Sequence, residues 1–266
     1  MATDVVTDPI RIFCGADCGD GDLEFMSVFE FTLARHCSRP YELRWMRLNN
    51  DPTSPWRHSL WSTSSFSTPF TSFRFGVPAA CEYEGKAIYC DVDTWWQRDP
   101  AELWDQQHNG AALMAAGNYG KPSYGVLFWD CVAARGHIQS KPHKPDFMGA
   151  NTAYFRAAGA PVVKVWDGDW NCLDGGKYDS IDDPRIGLVH CTRMGTQPIH
   201  RHAGPRLKAL GQKHWYDGAI SPHPRQDVQD KFDSLLRASI AAGFTLDRYK
   251  SKGPPIKYSK KSYRGK

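Results

Sequence analysis

Apolar residues first gather at residues 11–15 (R-I-F-C-G), a run closed by a glycine and, two positions on, by Asp17. A run this short, ended by turn formers, predicts a buried strand. Residues 24–36 then set Phe25, Val28, Phe29, Thr32 and Leu33 along one helical stripe, and residues 41–48 return to strand-like alternation. Strand, helix and strand at this spacing form a βαβ unit, which implies a parallel sheet. Residues 51–73 are rich in Ser, Thr, Pro and aromatics without periodicity, and a loop of that length in a compact domain usually serves function. Residues 85–90 (G-K-A-I-Y-C) predict a buried strand that runs directly into Asp91-Val92-Asp93. Beyond it the pattern predicts a short helix at 100–108, strands at 111–116 and 124–129, and a helix starting over 130–136. A strand at 152–157, a late strand at 186–191 and an amphipathic helix at 227–242 follow. After Phe244 the chain turns to Lys, Pro, Ser and Tyr, and poor order is expected. The pattern thus predicts one α/β catalytic domain over residues 1–245, a mixed, mainly parallel, Rossmann-like sheet flanked by helices. A basic, flexible tail is expected over 246–266.

Composition narrows this picture in three places. With 266 residues, 41% hydrophobic and 23% charged, the chain can bury a substantial core. It has no run near the roughly 18 apolar residues that cross a bilayer, and residues 1–9 carry no apolar leader, so a cytoplasmic location is expected. The eight cysteines stand singly with no C-x-x-C pair, which argues against a zinc ribbon and reads as reduced thiols. The net charge of +4 is uneven: residues 248–266 hold eight Lys or Arg and no acid, leaving 25 basic against 29 acidic residues elsewhere. A near-neutral body with a basic tail suits contact with a polyanion, either nucleic acid backbone or an anionic membrane surface.

The candidate chemistry centres on Asp91 and Asp93. In an open α/β sheet, ligands bind outside the carboxyl ends of the strands. Residues i and i+2 of an extended strand point the same way. Two carboxylates on one side can share a divalent cation, Mn²⁺ or Mg²⁺, and leave positions for phosphate oxygens. A lone D-x-D is weak evidence, since two solvated acids at a strand end look the same. Here it is embedded in a pattern: T-P-F-T-S-F-R-F-G-V-P at 68–78, G-K-A-I-Y-C-D-V-D at 85–93 and D-P-A-E-L-W at 99–104.

These segments resemble the GT-A-fold glycosyltransferases, in particular the family 8 type and its bacterial and phage relatives. F-C-G-A-D at 13–17, with Glu24 opening a helix, is similar to that group's first strand and nucleotide-binding loop. L-V-H-C-T-R-M-G-T-Q-P at 188–198 resembles its H-x-x-G-x-x-K-P segment. The resemblance implies a metal-dependent enzyme that moves a sugar from a nucleotide-diphosphate sugar, UDP-sugar favoured, to a hydroxyl acceptor with retention. It implies Asp91, Asp93 and His190 as metal ligands, and Asp17, Arg74, Asp91, Asp93 and Arg193 as donor-binding residues. Gln197 stands where a lysine often contacts diphosphate, so Arg193 or Arg201 is expected to supply that charge. Asp146, Asp169, Asn171 and Asp174 are the candidates at the sugar face, with Asp169 and Asn171 taken as the catalytic pair.

Each assignment has a plainer counterpart. Asp17 can be a turn cap, Arg74 a loop-holding ion pair and His190 a core histidine. His200, His202 and His214 lack a carboxylate or cysteine at ligand spacing and are expected at the surface. If the tail is functional, the acceptor is a hydroxylated DNA base or a lipid-linked glycan. Two other readings remain open. A sugar nucleotidyltransferase would need a basic residue in the loop at 13–22, which has none; a non-catalytic nucleic-acid-binding protein fits poorly with the acidic body and the embedded D-x-D.

Overall fold

A computed structural model of the chain describes residues 8–57, 68–118, 121–136, 163–166 and 169–252. The βαβ opening forms as the periodicity predicts: β1 (Ile10–Gly15), α1 (Leu23–His36) and β2 (Tyr41–Met46), with β1 and β2 parallel. β3 (Lys86–Asp91) pairs parallel with the other side of β1, and all of it but Lys86 is buried, as a run apolar on both faces requires. β3 ends at Asp91, and Val92 and Asp93 bend into β4 (Thr94–Trp96). The reason offered for the paired carboxylates, two residues of one extended strand, therefore holds only for Asp91; Asp93 reaches the same place from the bend.

α2 (Val77–Ala80) and α3 (Pro100–Trp104) are short. Asp99 caps α3 by accepting the Ala101 N–H at 2.9 Å, with Pro100 at the first helical position. The helix stops at Trp104, earlier than the expected 100–108. β5 (Leu113–Asn118) and β6 (Lys121–Asp130) form an antiparallel pair. β7 (Val163–Val165) closes a six-stranded sheet of order β2-β1-β3-β6-β5-β7. Three of its pairings are parallel and two antiparallel, so the sheet is mixed. Residues 131–136 do not start a helix. They form turns in which Asp130 accepts the Ala133 N–H at 2.9 Å, and Gly136 at φ 82° turns the chain away. The strand expected at 152–157, and Asp146, lie outside the described residues.

A second sheet of order β4-β9-β8 was not foreseen as a unit. It joins β4 to β8 (Cys172–Leu173) and β9 (Leu188–His190). α4 (His200–Ala209) follows, also unforeseen because histidines and Pro205 obscure its periodicity, and then α5 (Gln226–Ala241). α1 packs on β2 and β4 through Phe29, which meets both Trp45 and Trp96, and α5 packs on α1 through Phe232 against Phe25 (ring centres 5.1 Å apart). Buried Thr32 on α1 accepts the Trp96 N–H at 3.1 Å, pinning β4 beneath the helix.

The expectation of poor order after Phe244 is corrected for residues 246–252. Leu246–Tyr249 is a 3-10 turn, Tyr249 is buried edge-on against Trp45, and Arg248 pairs with Glu30. A buried aromatic ring outweighs the local Lys-rich composition. Residues 253–266 of the tail lie outside the described residues.

Candidate metal-binding site

Asp91, Asp93 and His190 converge, each buried and each offering a ligand atom within 4.8 Å of the others. The second sheet makes this possible. β4 pairs antiparallel with β9 so that Thr94 lies opposite His190, and the Cys191 N–H donates to the Asp93 carbonyl at 2.8 Å. A residue nearly a hundred positions away thus arrives beside the bend.

Each of the three side chains is held by a partner of its own. Arg74 Nη2 donates to both Asp91 oxygens at 2.9 Å, and the Tyr89 hydroxyl donates to Oδ1 at 2.5 Å. Burial pushes the Tyr89 hydroxyl well above its usual range, so it remains a donor. Burial also pushes the Asp91 carboxyl up, with the Asp93 charge acting the same way and Arg74 opposing both. Gln197 Nε2 donates to Asp93 Oδ2 at 2.7 Å. His190 Nδ1 lies 2.7 Å from Asn171 Oδ1, whose amide nitrogen donates to Ser123 Oγ at 2.9 Å. With the Asn171 nitrogen spent on Ser123, its oxygen accepts from Nδ1–H, and His190 Nε2 is left as the lone-pair atom.

That lone pair faces another. Nε2 lies 3.3 Å from Asp93 Oδ1, a buried oxygen without a hydrogen bond. Two lone pairs at that distance repel unless a proton or a cation sits between them. The proton form accounts for the direction of the His190 shift: burial pulls its pKa down, but the Asp93 and Asp91 charges outweigh it and raise it. A divalent cation is the other solution, and two carboxylate oxygens with one imidazole nitrogen are a donor set that suits Mn²⁺ or Mg²⁺.

Of the other expected residues, Asn171 touches His190 directly, and the rest make the following contacts. Asp17 is buried and turned into its own loop, accepting the Gly21 N–H at 3.1 Å, while Asp22 accepts the Asp17 N–H at 2.9 Å. Burial, reinforced by the Asp17 charge, pushes the Asp22 carboxyl up to about 8. Arg193 is exposed and lies 3.7 Å from Asp174, and Arg201 is paired with Asp233 at 2.9 Å. Asp169 forms an isolated parallel bridge with Ile186, its carbonyl accepting the Gly187 and Leu188 N–H at 2.7 and 3.1 Å. Asn171 is the buttress of His190 and does not face open space. The histidines expected at the surface are largely inside: His200 is buried and packs edge-on against His214 with ring centres 5.3 Å apart, and burial pushes His214 down to about 3. Only His202, bonded to Asp233 at 2.6 Å, is substantially open to solvent.

Sequence reasoning missed Tyr89 and the buttressing role of Gln197. Tyr89 had a signal, since it sits two residues before Asp91 on the same face of β3. A cavity of about 760 Å³, lined in part by Trp45, Arg47, Asn49 and Lys250, lies between the end of β2 and the C-terminal segment, and no triad residue lines it.

No protein-family model and no curated protein sequence matches the chain. Solved structures do match in shape. The WbbM bifunctional glycosyltransferase aligns at TM-score 0.54 and 11% identity over 88% of this chain and 50% of its own. The galactosyltransferase LgtC, in complex with donor and acceptor sugar analogues, aligns at 0.51 and 12% over 86% and 96%. The apo form of GlyE from Streptococcus pneumoniae aligns at 0.52 and 14% over 90% and 64%. The fold is GT-A. This chain spans half of WbbM and about two thirds of GlyE, and identities this low carry the GT-A architecture alone. Within that architecture the triad stands at the carboxyl end of β3, where ligands of open α/β sheets bind.

Proposed function

We propose that the protein is a metal-dependent glycosyltransferase that moves a sugar from a nucleotide-diphosphate sugar, with UDP-sugar favoured, to a hydroxyl acceptor with retention. The observation that carries this reading is the convergence of Asp91, Asp93 and His190, each buried and with ligand atoms within 4.8 Å of one another, in a GT-A frame. Asp91, Asp93 and His190 would hold Mn²⁺ or Mg²⁺, whose positive charge, when bound, offsets the charge of the departing diphosphate. The chain's own residues prepare for this. Arg74 and Tyr89 keep Asp91 fixed and favour its ionised form, and Asn171 keeps the His190 lone pair directed at Asp93. The proposed acceptor is a hydroxylated base in DNA or a lipid-linked glycan, supported by the basic composition after Phe244.

The test is thermal stabilisation by UDP, GDP and their sugars with and without Mn²⁺, followed by transfer assays with DNA and lipid-linked acceptors. UDP stabilisation that requires Mn²⁺ and is lost in Asp93→Ala is expected. Undiminished transfer in the Asp91→Ala, Asp93→Ala double variant would overturn the reading.

A further inference from the structure

We infer that Gln197 is a positioning residue that fixes the Asp93 carboxylate and biases it toward binding through one oxygen, and thereby tunes which divalent cation the site prefers. The inference rests on the metal-binding reading above. Gln197 is buried at 5% exposure and leaves the 3-10 turn Met194–Thr196 that follows His190. Its amide nitrogen carries two hydrogens, and both are spent: one on Asp93 Oδ2 at 2.7 Å, the other on the Cys191 carbonyl at 2.8 Å. The Cys191 N–H in turn donates to the Asp93 carbonyl. Asp93 is therefore clamped at its backbone and at one carboxylate oxygen by a closed ring of three residues.

Two consequences follow from charge and geometry. Gln197 is neutral and its donors are occupied, so it leaves the Asp93 charge intact and offers no cation that would compete with a metal. The hydrogen bond on Oδ2 occupies one of its lone pairs and fixes the plane of the carboxylate, leaving Oδ1, the oxygen that faces His190 Nε2, as the one with no hydrogen-bond partner. A carboxylate biased toward binding through one oxygen suits the six-coordinate geometry of small divalent ions. Ca²⁺ takes six to eight oxygens and gains from bidentate carboxylates. The clamp on Asp93 therefore favours Mn²⁺ over Ca²⁺.

The experiment titrates the full chain, without nucleotide sugar, with Mn²⁺ and separately with Ca²⁺ by calorimetry. Gln197→Met keeps the volume and removes both hydrogen bonds. We expect Mn²⁺ affinity to fall by about tenfold or more, the usual effect of losing a partner that orients a ligand. Ca²⁺ affinity is expected to change much less, so the ratio of the two affinities narrows. Gln197→Asn, one methylene too short to span both acceptors, is the second variant should the first fail to fold, and the same narrowing is expected. Unchanged Mn²⁺ affinity, or equal losses for both ions, overturns the inference while leaving the metal site standing. Wild-type protein that binds neither ion overturns the metal reading itself, and the role of Gln197 with it.

Discussion

Gly125 has no room for a side chain: a Cβ there would lie 2.2 Å from His190 Cε1 and 2.7 Å from Nδ1. The glycine sits on β6, opposite the triad, and its bare backbone makes the space in which the imidazole turns toward Asp93. Gly125→Ala should therefore push the ring off both Asn171 and Asp93. The expected result is a stability loss of about 1–3 kcal/mol, as for other overpacked sites, read by denaturant unfolding. Mn²⁺ binding by calorimetry should weaken by about tenfold or more, since the imidazole loses its orienting partner. In the sequence Gly125 was visible only as part of the strand expected at 124–129. That Ser123 and Gly125 both serve His190, one through Asn171 and one by vacancy, depends on contacts the sequence does not encode locally.

The loop between β1 and α1 shows how an element can hold buried acids without a basic side chain within itself. Asp22 accepts the Asp17 N–H and, at 2.9 Å, the Trp215 indole N–H, while His214 Nε2 lies 3.7 Å from the same carboxylate. In the unfolded chain Asp22 titrates near 3.8, and folding raises this to about 8. Between those values the folded state binds the extra proton, so this group's contribution to stability falls as pH rises from about 4 to about 8. His214 acts in the opposite sense, losing stability as pH drops from 6.5 toward about 3, because the buried ring must stay neutral. Asp22→Asn removes the first slope. The variant should gain stability relative to wild type as pH rises across about 5 to 8, whatever constant loss its missing acceptor brings. Melting temperatures of both proteins across that range check this, and a difference independent of pH would count against it.

Across the whole molecule, the C-terminal segment and the first loop are tied through one side chain. Arg47 donates to the carbonyls of Asp17 (2.7 Å), Gly19 and Tyr249 (2.5 Å) and to Ser251 Oγ (2.9 Å). Ser251 completes the tie with its N–H on Asp20 at 3.0 Å and its hydroxyl on the Cys18 carbonyl at 2.8 Å. Residues 246–252 thus belong structurally with the loop that opens α1, although their composition reads as the start of a solvated tail. Tyr249→Ala should cost about 3 kcal/mol or more, in line with other buried aromatic truncations.

The chain's own pattern determined the elements whose apolar spacing is strong and local: β1, α1, β2, β3, β6 and α5 all stand close to where the periodicity puts them. It also determined that two acids follow a buried strand, and a resembled segment pointed to His190. Tertiary structure decided the rest. β4 and β8 are three and two residues long, too short for any period to register, yet their pairing with β9 is what carries His190 to Asp93. Asn171, Gln197 and Tyr89 are ordinary polar residues until burial leaves each facing one ligand. Likewise the contacts of Arg193 with Asp174 and of Asp169 with Ile186 follow from no local pattern. A hydrophobic period reports which face of an element is buried; it does not report which buried polar atoms meet, and the site is made of those meetings.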